Sequence, residues 1–279
     1  MIRIDAPAKI NLLLDIIKRL PNGYNMLFMV MQAVSLYDTI EVEKADSGIA
    51  LTCSEPSLPT DEKNLAFRAA QAFFDCTGLS GGCSITVTKR IPLQAGLAGG
   101  STDAAGVLRA LNLLYETGLT TEALCRIGVR LGADVPFCLH GGTMLAQDIG
   151  QVLSPLPKLR DCFIVLAKPT QGVSTAEAYA AFDESENVHH PDNWGMLHAL
   201  AAEDFDGVIS RTQNVFEQFI EVPERIAIKS VMRSHGSRCC CMSGSGPTVF
   251  GIFDGEAQAK ACVDELKQDF AQVYLTHPV

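Results

Sequence analysis

The sequence predicts an α+β protein built from two halves. Three observations carry that expectation. Segments with apolar residues at every second position alternate with segments at helical spacing. Both kinds occur in each half, so strands and helices are mixed throughout. Pro155 and Pro157 follow Gly150, and this punctuation divides the chain into residues 1–152 and 153–279.

The N-terminal half opens on strands. Ile2 and Ile4 alternate with charged residues, and an apolar run from Ile10 to Ile16 follows. Residues 34–42 read as the next strand, with Leu36, Ile40 and Val42 apolar. Residues 61–74 read as a helix with Leu65, Ala69, Ala72 and Phe73 inward. Residues 84–89 alternate again and lead to Pro92. A glycine loop comes next, then a helix over about 102–115 carrying Ala104, Val107, Leu108 and Leu111 on one face. Another helix covers 121–131. In the second half, 163–167 is a strand and 175–182 a helix. Residues 184–193 read as an exposed loop. Pro223 opens a helix to His235, proline being suited to a first turn. Residues 249–253 form a strand, and 256–270 an amphipathic helix with Ala259, Cys262, Val263 and Leu266 inward.

Composition narrows the function. The 279 residues are 47% hydrophobic and 19% charged, which fits a globular chain with a large core. Lys plus Arg is 22 and Asp plus Glu is 32, a net charge of −10 that argues against a nucleic-acid partner. No apolar run reaches the length of a membrane span, so no membrane partner is expected. Arg3, Asp5, Lys9 and Asp15 interrupt every candidate signal-peptide stretch. The 10 cysteines include the run Cys239-Cys240-Cys241 and no C-x-x-C pair. They fit small core filler in a reducing, cytoplasmic location.

The sharpest local feature is Pro92-Leu93-Gln94-Ala95-Gly96-Leu97-Ala98-Gly99-Gly100-Ser101-Thr102, between a strand and a helix. Its glycines let backbone amides approach a ligand, and a helix N-terminus adds unpaired N–H groups. That combination cradles phosphate. Ser101 or Thr102 is placed to cap the helix or to face a phosphate or its magnesium ion. The alternative is a tight turn with a helix cap. Neither a Walker loop nor the dinucleotide fingerprint is present, so a cation must come from elsewhere. Lys9, among small and apolar neighbours, is one candidate; a surface lysine is the other reading of it. Asp134, in Gly132-Ala133-Asp134-Val135-Pro136-Phe137, is a polar point in an apolar stretch. It reads as a functional or paired carboxylate or as a helix N-cap. Pro136 is expected to hold Val135 out of the helical region. Asp103 reads as compensation of a helix dipole, and His189-His190 as solvated. A second glycine element, Ser243-Gly244-Ser245-Gly246-Pro247, reads as a rigid turn. There is no H-E-x-x-H and no G-x-S-x-G, which leaves metalloprotease and serine-hydrolase chemistry without a motif.

Taken together, Pro7-Ala8-Lys9-Ile10-Asn11, the glycine loop and the Ser243 to Pro247 turn resemble the three motifs of the GHMP kinases. The resemblance covers nearly the whole chain, in order. It implies a two-domain fold, an N-terminal ribosomal-protein-like βα domain and a C-terminal ferredoxin-like domain. It implies ATP and Mg²⁺ as cofactors, with the glycine loop on the ATP phosphates and Ser101 toward the magnesium. By matching position, Lys9 and Asp134 are the catalytic pair, and Asn64 and Lys89 flank the adenosine. Asn11 and Tyr24 match substrate contacts, Tyr24 by stacking on cytosine. Gly23-Tyr24, the Met31 to Asp38 segment and Gly132 to Phe137 resemble one branch in particular. That branch phosphorylates the 2-hydroxyl of 4-diphosphocytidyl-2-C-methyl-D-erythritol, in the non-mevalonate route to isoprenoid precursors. One position departs from it: Asn25 stands where the branch has a histidine on the cytosine edge. A small-molecule substrate and a monomer or weak homodimer are implied. The alternatives are another GHMP small-molecule kinase, such as one acting on homoserine, and a non-catalytic nucleotide-binding homologue. Retention of Lys9 and Asp134 speaks against the latter.

Overall fold

The computed structural model describes residues 1–21, 23–185 and 187–279, so one residue of the loop expected over 184–193 lies outside the described residues. In chain order the elements are β1 (Ile2–Arg19), β2 (Asn25–Ala45), β3 (Gly48–Cys53), α1 (Leu65–Thr77), β4 (Gly82–Thr88), α2 (Gly99–Leu114), α3 (Thr121–Gly128) and α4 (Val135–His140). There follow β5 (Thr143–Asp148), β6 (Val152–Pro155), β7 (Phe163–Lys168), α5 (Thr175–Asp183), α6 (Asn193–Ala201), α7 (Phe205–Arg211) and β8 (Gln213–Asn214). The chain closes with α8 (Pro223–Ser234), β9 (Cys239–Met242), β10 (Val249–Phe253), α9 (Glu256–Leu266) and β11 (Gln272–Thr276). The mixed α+β class is the one expected.

The compact units do not follow a single cut at 152/153. Unit one is residues 1–8, 36–91 and 98–141; unit two is 9–35, 92–97 and 142–279. The reason is the length of β1 and β2, each of which contributes residues to both units. The sequence shows these two strands only in pieces.

In unit one, β4 runs antiparallel to the C-terminal part of β2, with Thr39 opposite Thr88 and Ala45 opposite Gly82. β3 adds in parallel to β4, from Gly48 opposite Gly82 to Cys53 opposite Val87. Ala66, Ala69 and Phe73 of α1 and Ala104, Val107 and Leu111 of α2 are buried, as are Ile40, Val42, Ile85 and Val87 of the sheet. Each large apolar side chain so buried contributes about 1.5–3 kcal/mol. Gly106 lets α2 lie close on β2, since a Cβ there would come 2.7 Å from Ile40 Cγ1.

In unit two, β5 pairs antiparallel with the start of β2, and β6 with β5. The C-terminal sheet has the order β11-β7-β10-β9, all antiparallel. Helices connect β7 to β9 and β10 to β11. This is the ferredoxin-like arrangement expected for the C-terminal half. Ile228 and Met232 of α8 and Ala259, Cys262 and Leu266 of α9 pack with Val165, Val249 and Phe253 of that sheet. The three consecutive cysteines form most of β9, and all ten thiols are free. Burial pushes Cys239 and Cys262 up to about 12, so these are inert core thiols. Among the described residues, no helix is long and apolar enough to cross a membrane.

Candidate active site

The glycine loop folds back on itself at every second residue. Gln94, Gly96 and Ala98 have φ of 49°, 71° and 59°, all left-handed. Left-handed residues alternating with right-handed ones can turn successive N–H groups to one side, the geometry of an anion-binding nest. Gly96 is the tightest position. A Cβ there would lie 2.1 Å from Ser243 O and 3.1 Å from Gly246 O. Ser243 Oγ donates to Gly96 O at 2.9 Å, and Lys9 N donates to Leu97 O at 3.1 Å. The loop, the Lys9 strand and the second glycine turn are therefore brought together within unit two.

The helix after the loop begins at Gly99, three residues earlier than expected, although glycine has a low helix propensity. Its N-cap is Ala98, with no side-chain cap bond. Neither Ser101 nor Thr102 is the cap. Thr102 is buried and donates through Oγ1 to Pro7 O at 2.8 Å. Ser101 is half-buried, and a Cβ on Gly132 would lie 3.8 Å from its Oγ. Ser101 thus stands beside the turn that carries Asp134, within unit one. Gly99, Gly100 and Ser101 supply first-turn N–H groups without intrahelical acceptors. These N–H groups fit phosphate oxygens and not a metal; Ser101 Oγ is the oxygen that would hold a phosphate-bound magnesium ion. Among the described residues, no group of three His, Cys, Asp or Glu is placed to hold a metal.

Lys9 is 4% exposed, and its Nζ donates to Asn11 Oδ1 at 2.6 Å. It is a buried lysine, not a surface one. A Cβ on Gly244 would come 3.2 Å from Lys9 Nζ, so the second glycine turn closes over the ammonium. That turn is held by a residue the sequence reading missed. Asn214 Nδ2 donates to both Met242 O and Gly244 O at 2.8 Å, and Asn214 is 1% exposed. A lone asparagine ending a two-residue strand offers no pattern that would reveal it.

Asp134 is half-buried at the N-cap position of α4. Its side chain makes no cap bond, so the carboxylate is not spent on the helix. Val135 is the first helical residue, contrary to the expectation from Pro136, which instead occupies the first turn. Proline is tolerated there because it has no N–H to lose.

The two residues expected beside the adenosine also have structural partners. Asn64 caps α1: its Oδ1 accepts from Ala66 N at 2.9 Å and its Nδ2 donates to Pro59 O at 2.7 Å. Lys89 is 6% exposed at the side chain and bridges two buried carboxylates, Asp38 and, at 2.6 Å, Asp103. Asp38 also accepts from Arg90 N at 2.5 Å and Ile91 N at 2.9 Å. Burial pushes the Asp103 carboxyl up to about 7, with Lys89 pulling it back and Asp38 adding to the rise. Burial disfavours the charged Lys89, but the two carboxylates outweigh it and hold its pKa above the ordinary value. Asp103 is thus an ion-pair member rather than a dipole charge. Lys89→Met strands two buried carboxylates and is expected to cost about 3–5 kcal/mol. A carboxyl raised on folding favours the folded state most at low pH, and loses that contribution as pH rises toward about 7. The cost of the variant is therefore larger at about pH 8 than at about pH 5. Urea unfolding at both values checks this; equal costs would contradict the charge account.

Tyr24 is 60% exposed, and Asn25 begins β2 with its side-chain oxygen buried and without a hydrogen-bond partner. Both belong to unit two. His190 is not simply solvated: its Nδ1 bonds Asp15 Oδ1 at 2.8 Å.

Comparison with known proteins agrees with the motifs. The family described as GHMP kinases N terminal domain matches residues 64–142, and GHMP kinases C terminal matches residues 193–272. The 4-diphosphocytidyl-2-C-methyl-D-erythritol kinase of Clostridium beijerinckii is 44% identical over 279 residues, covering 99% of this chain and 100% of that one. The protein of that name from Clostridium acetobutylicum is 39% identical, covering 99% of each. A crystal structure of 4-(cytidine 5'-diphospho)-2C-methyl-D-erythritol kinase superposes with a TM-score of 0.85 at 33% identity, over 99% of both chains. Homoserine kinase from Cytophaga hutchinsonii gives a TM-score of 0.79 at 21% identity, over 99% of this chain and 94% of that one, a likeness of fold alone.

Proposed function

From the premise that the chain belongs to the GHMP kinases, we propose that it transfers the γ-phosphoryl group of ATP to the 2-hydroxyl of 4-diphosphocytidyl-2-C-methyl-D-erythritol. The product belongs to the non-mevalonate route to isoprenoid precursors. The observation that carries the choice of substrate is the full-length identity of 44% to a kinase of that name, against a fold-only likeness to homoserine kinase.

In this reading the loop amides and the first turn of α2 hold the ATP phosphates. Magnesium supplies neutralising charge on the phosphoryl oxygens when bound with ATP, and Ser101 is the side chain that would hold it. Asp134 accepts the proton of the 2-hydroxyl as general base. Lys9 stabilises the oxygen as its charge develops. Asn11 holds the Lys9 ammonium at 2.6 Å and so fixes where that charge acts. Tyr24 stacks on cytosine and Asn25 meets its edge, supported by Tyr24's 60% exposure. Asn64, which caps α1, and Lys89, which pairs with Asp38 and Asp103, flank the adenosine in this reading. The protein acts in the cytoplasm as a monomer or weak homodimer.

Phosphorus NMR of the full chain with Mg-ATP and this alcohol tests the reading. Formation of a new phosphomonoester is expected. Turnover of homoserine or a sugar in its place would overturn it, and no turnover of any alcohol would favour the non-catalytic homologue.

A further inference from the structure

Asp15 is a buried acid that the proposed reaction does not use. It is 1% exposed on β1, in the same unit as Lys9 and Asn11. Alternate residues of a strand share a face, so Lys9, Asn11 and Asp15 point the same way. A buried carboxylate is costly unless it is fully paired. Here both oxygens are used, and both partners come from one segment. His190 Nδ1 donates to Oδ1 at 2.8 Å, and Asn193 Nδ2 donates to Oδ2 at 2.6 Å.

The segment is also fastened just before the imidazole. His189 N donates to Gln218 Oε1 at 2.9 Å, and Gln218 Nε2 donates back to His189 O at 2.7 Å. His190 is thus held from two sides while its side chain stays 49% exposed. A carboxylate accepts only, so the ring proton nearest Asp15 is on Nδ1. That leaves Nε2 as the functional atom of an oriented ring, and a proton there makes a cation whose charge Asp15 balances. Asp15 lies midway along β1 between Lys9 and the turn where Leu20 N donates to Tyr24 O at 2.7 Å. In the proposed substrate the diphosphate lies between the reacting hydroxyl and the cytosine.

We propose that His190, oriented by Asp15, binds the diphosphate of the alcohol substrate and so sets the preference for a diphosphate-linked acceptor. The inference rests on the function proposed above. It concerns ground-state binding, so the effect falls on KM and not on kcat.

The test uses the full-length chain, with the wild type as control. His190→Ala is expected to raise KM for 4-diphosphocytidyl-2-C-methyl-D-erythritol about 10- to 100-fold, the usual loss for a hydrogen bond to a charged group. KM for ATP and kcat should hold. His190→Gln keeps a neutral donor and should recover part of the loss. Asp15→Asn should move KM in the same direction; if it fails to fold, the two His190 variants decide alone. Calorimetry adds an arm that needs no turnover: His190→Ala should weaken cytidine 5'-diphosphate but leave cytidine unchanged. Unchanged KM for the alcohol, a parallel rise in KM for ATP, or equal effects on cytidine and its diphosphate would overturn the proposal. A wild-type chain that does not turn over the alcohol would overturn the proposed function instead, and the calorimetric arm would still judge His190.

Discussion

Asp134→Asn is expected to lower kcat by about 10²–10⁴-fold, the usual contribution of a positioned general base. Asparagine keeps the shape but cannot accept the hydroxyl proton. ATP affinity should hold, because the phosphates are assigned to the loop amides. The stability of the fold decides between base and cap. Losing a true N-cap costs about 1 kcal/mol on substitution by alanine. Asp134 makes no cap bond, so Asp134→Ala should leave the urea midpoint near the wild type while abolishing turnover. The opposite result, near-normal kcat with a loss of stability, would reduce Asp134 to a helix terminus.

Gly96→Ala is expected to have the second large effect, on ATP binding and on stability together. The left-handed φ of 71° already costs an L-residue about 1–2 kcal/mol. The overlap is worse, since the new methyl would sit 2.1 Å from Ser243 O, a backbone atom that cannot rotate away. Relief requires the loop and the 243–246 turn to separate, and with them the surroundings of Lys9. ATP binding should fall below calorimetric detection, with a lower urea midpoint. Wild-type ATP affinity in Gly96→Ala would mean that the loop is a turn and not a phosphate cradle.

Much of the fold was legible because its signals are local. β4, β7 and β10 alternate or run apolar between turn residues, and α5 and α8 begin with Ser174 as a cap and Pro223 in the first turn. β3, β5, β6, β8, β9 and β11 were missed. They are short, and β9 is three cysteines and a methionine, residues that suit a core in any conformation. β1 and β2 were seen in fragments because charged and polar residues interrupt them. Of the site, the loop, Lys9 and Asp134 were legible as motifs. The Asp38–Lys89–Asp103 cluster, the Asp15–His190 pair and Asn214 were not. Each joins residues far apart in sequence, and no spacing rule reports a contact that only the fold creates.

The left-handed residues at 94, 96 and 98 have a further consequence. Only one of the three is a glycine, so Gln94 and Ala98 hold a conformation that costs each of them about 1–3 kcal/mol. That cost falls on folding and is met by the packing around the loop, before any nucleotide arrives. A loop already in its working shape loses little freedom when ligand binds, and less of the contact energy is consumed in ordering it. In the proposed role it would act as a rigid mould rather than as a flap. Substitutions that relax it, such as Ala98→Gly, would make the protein harder to unfold and at the same time a poorer host for ATP.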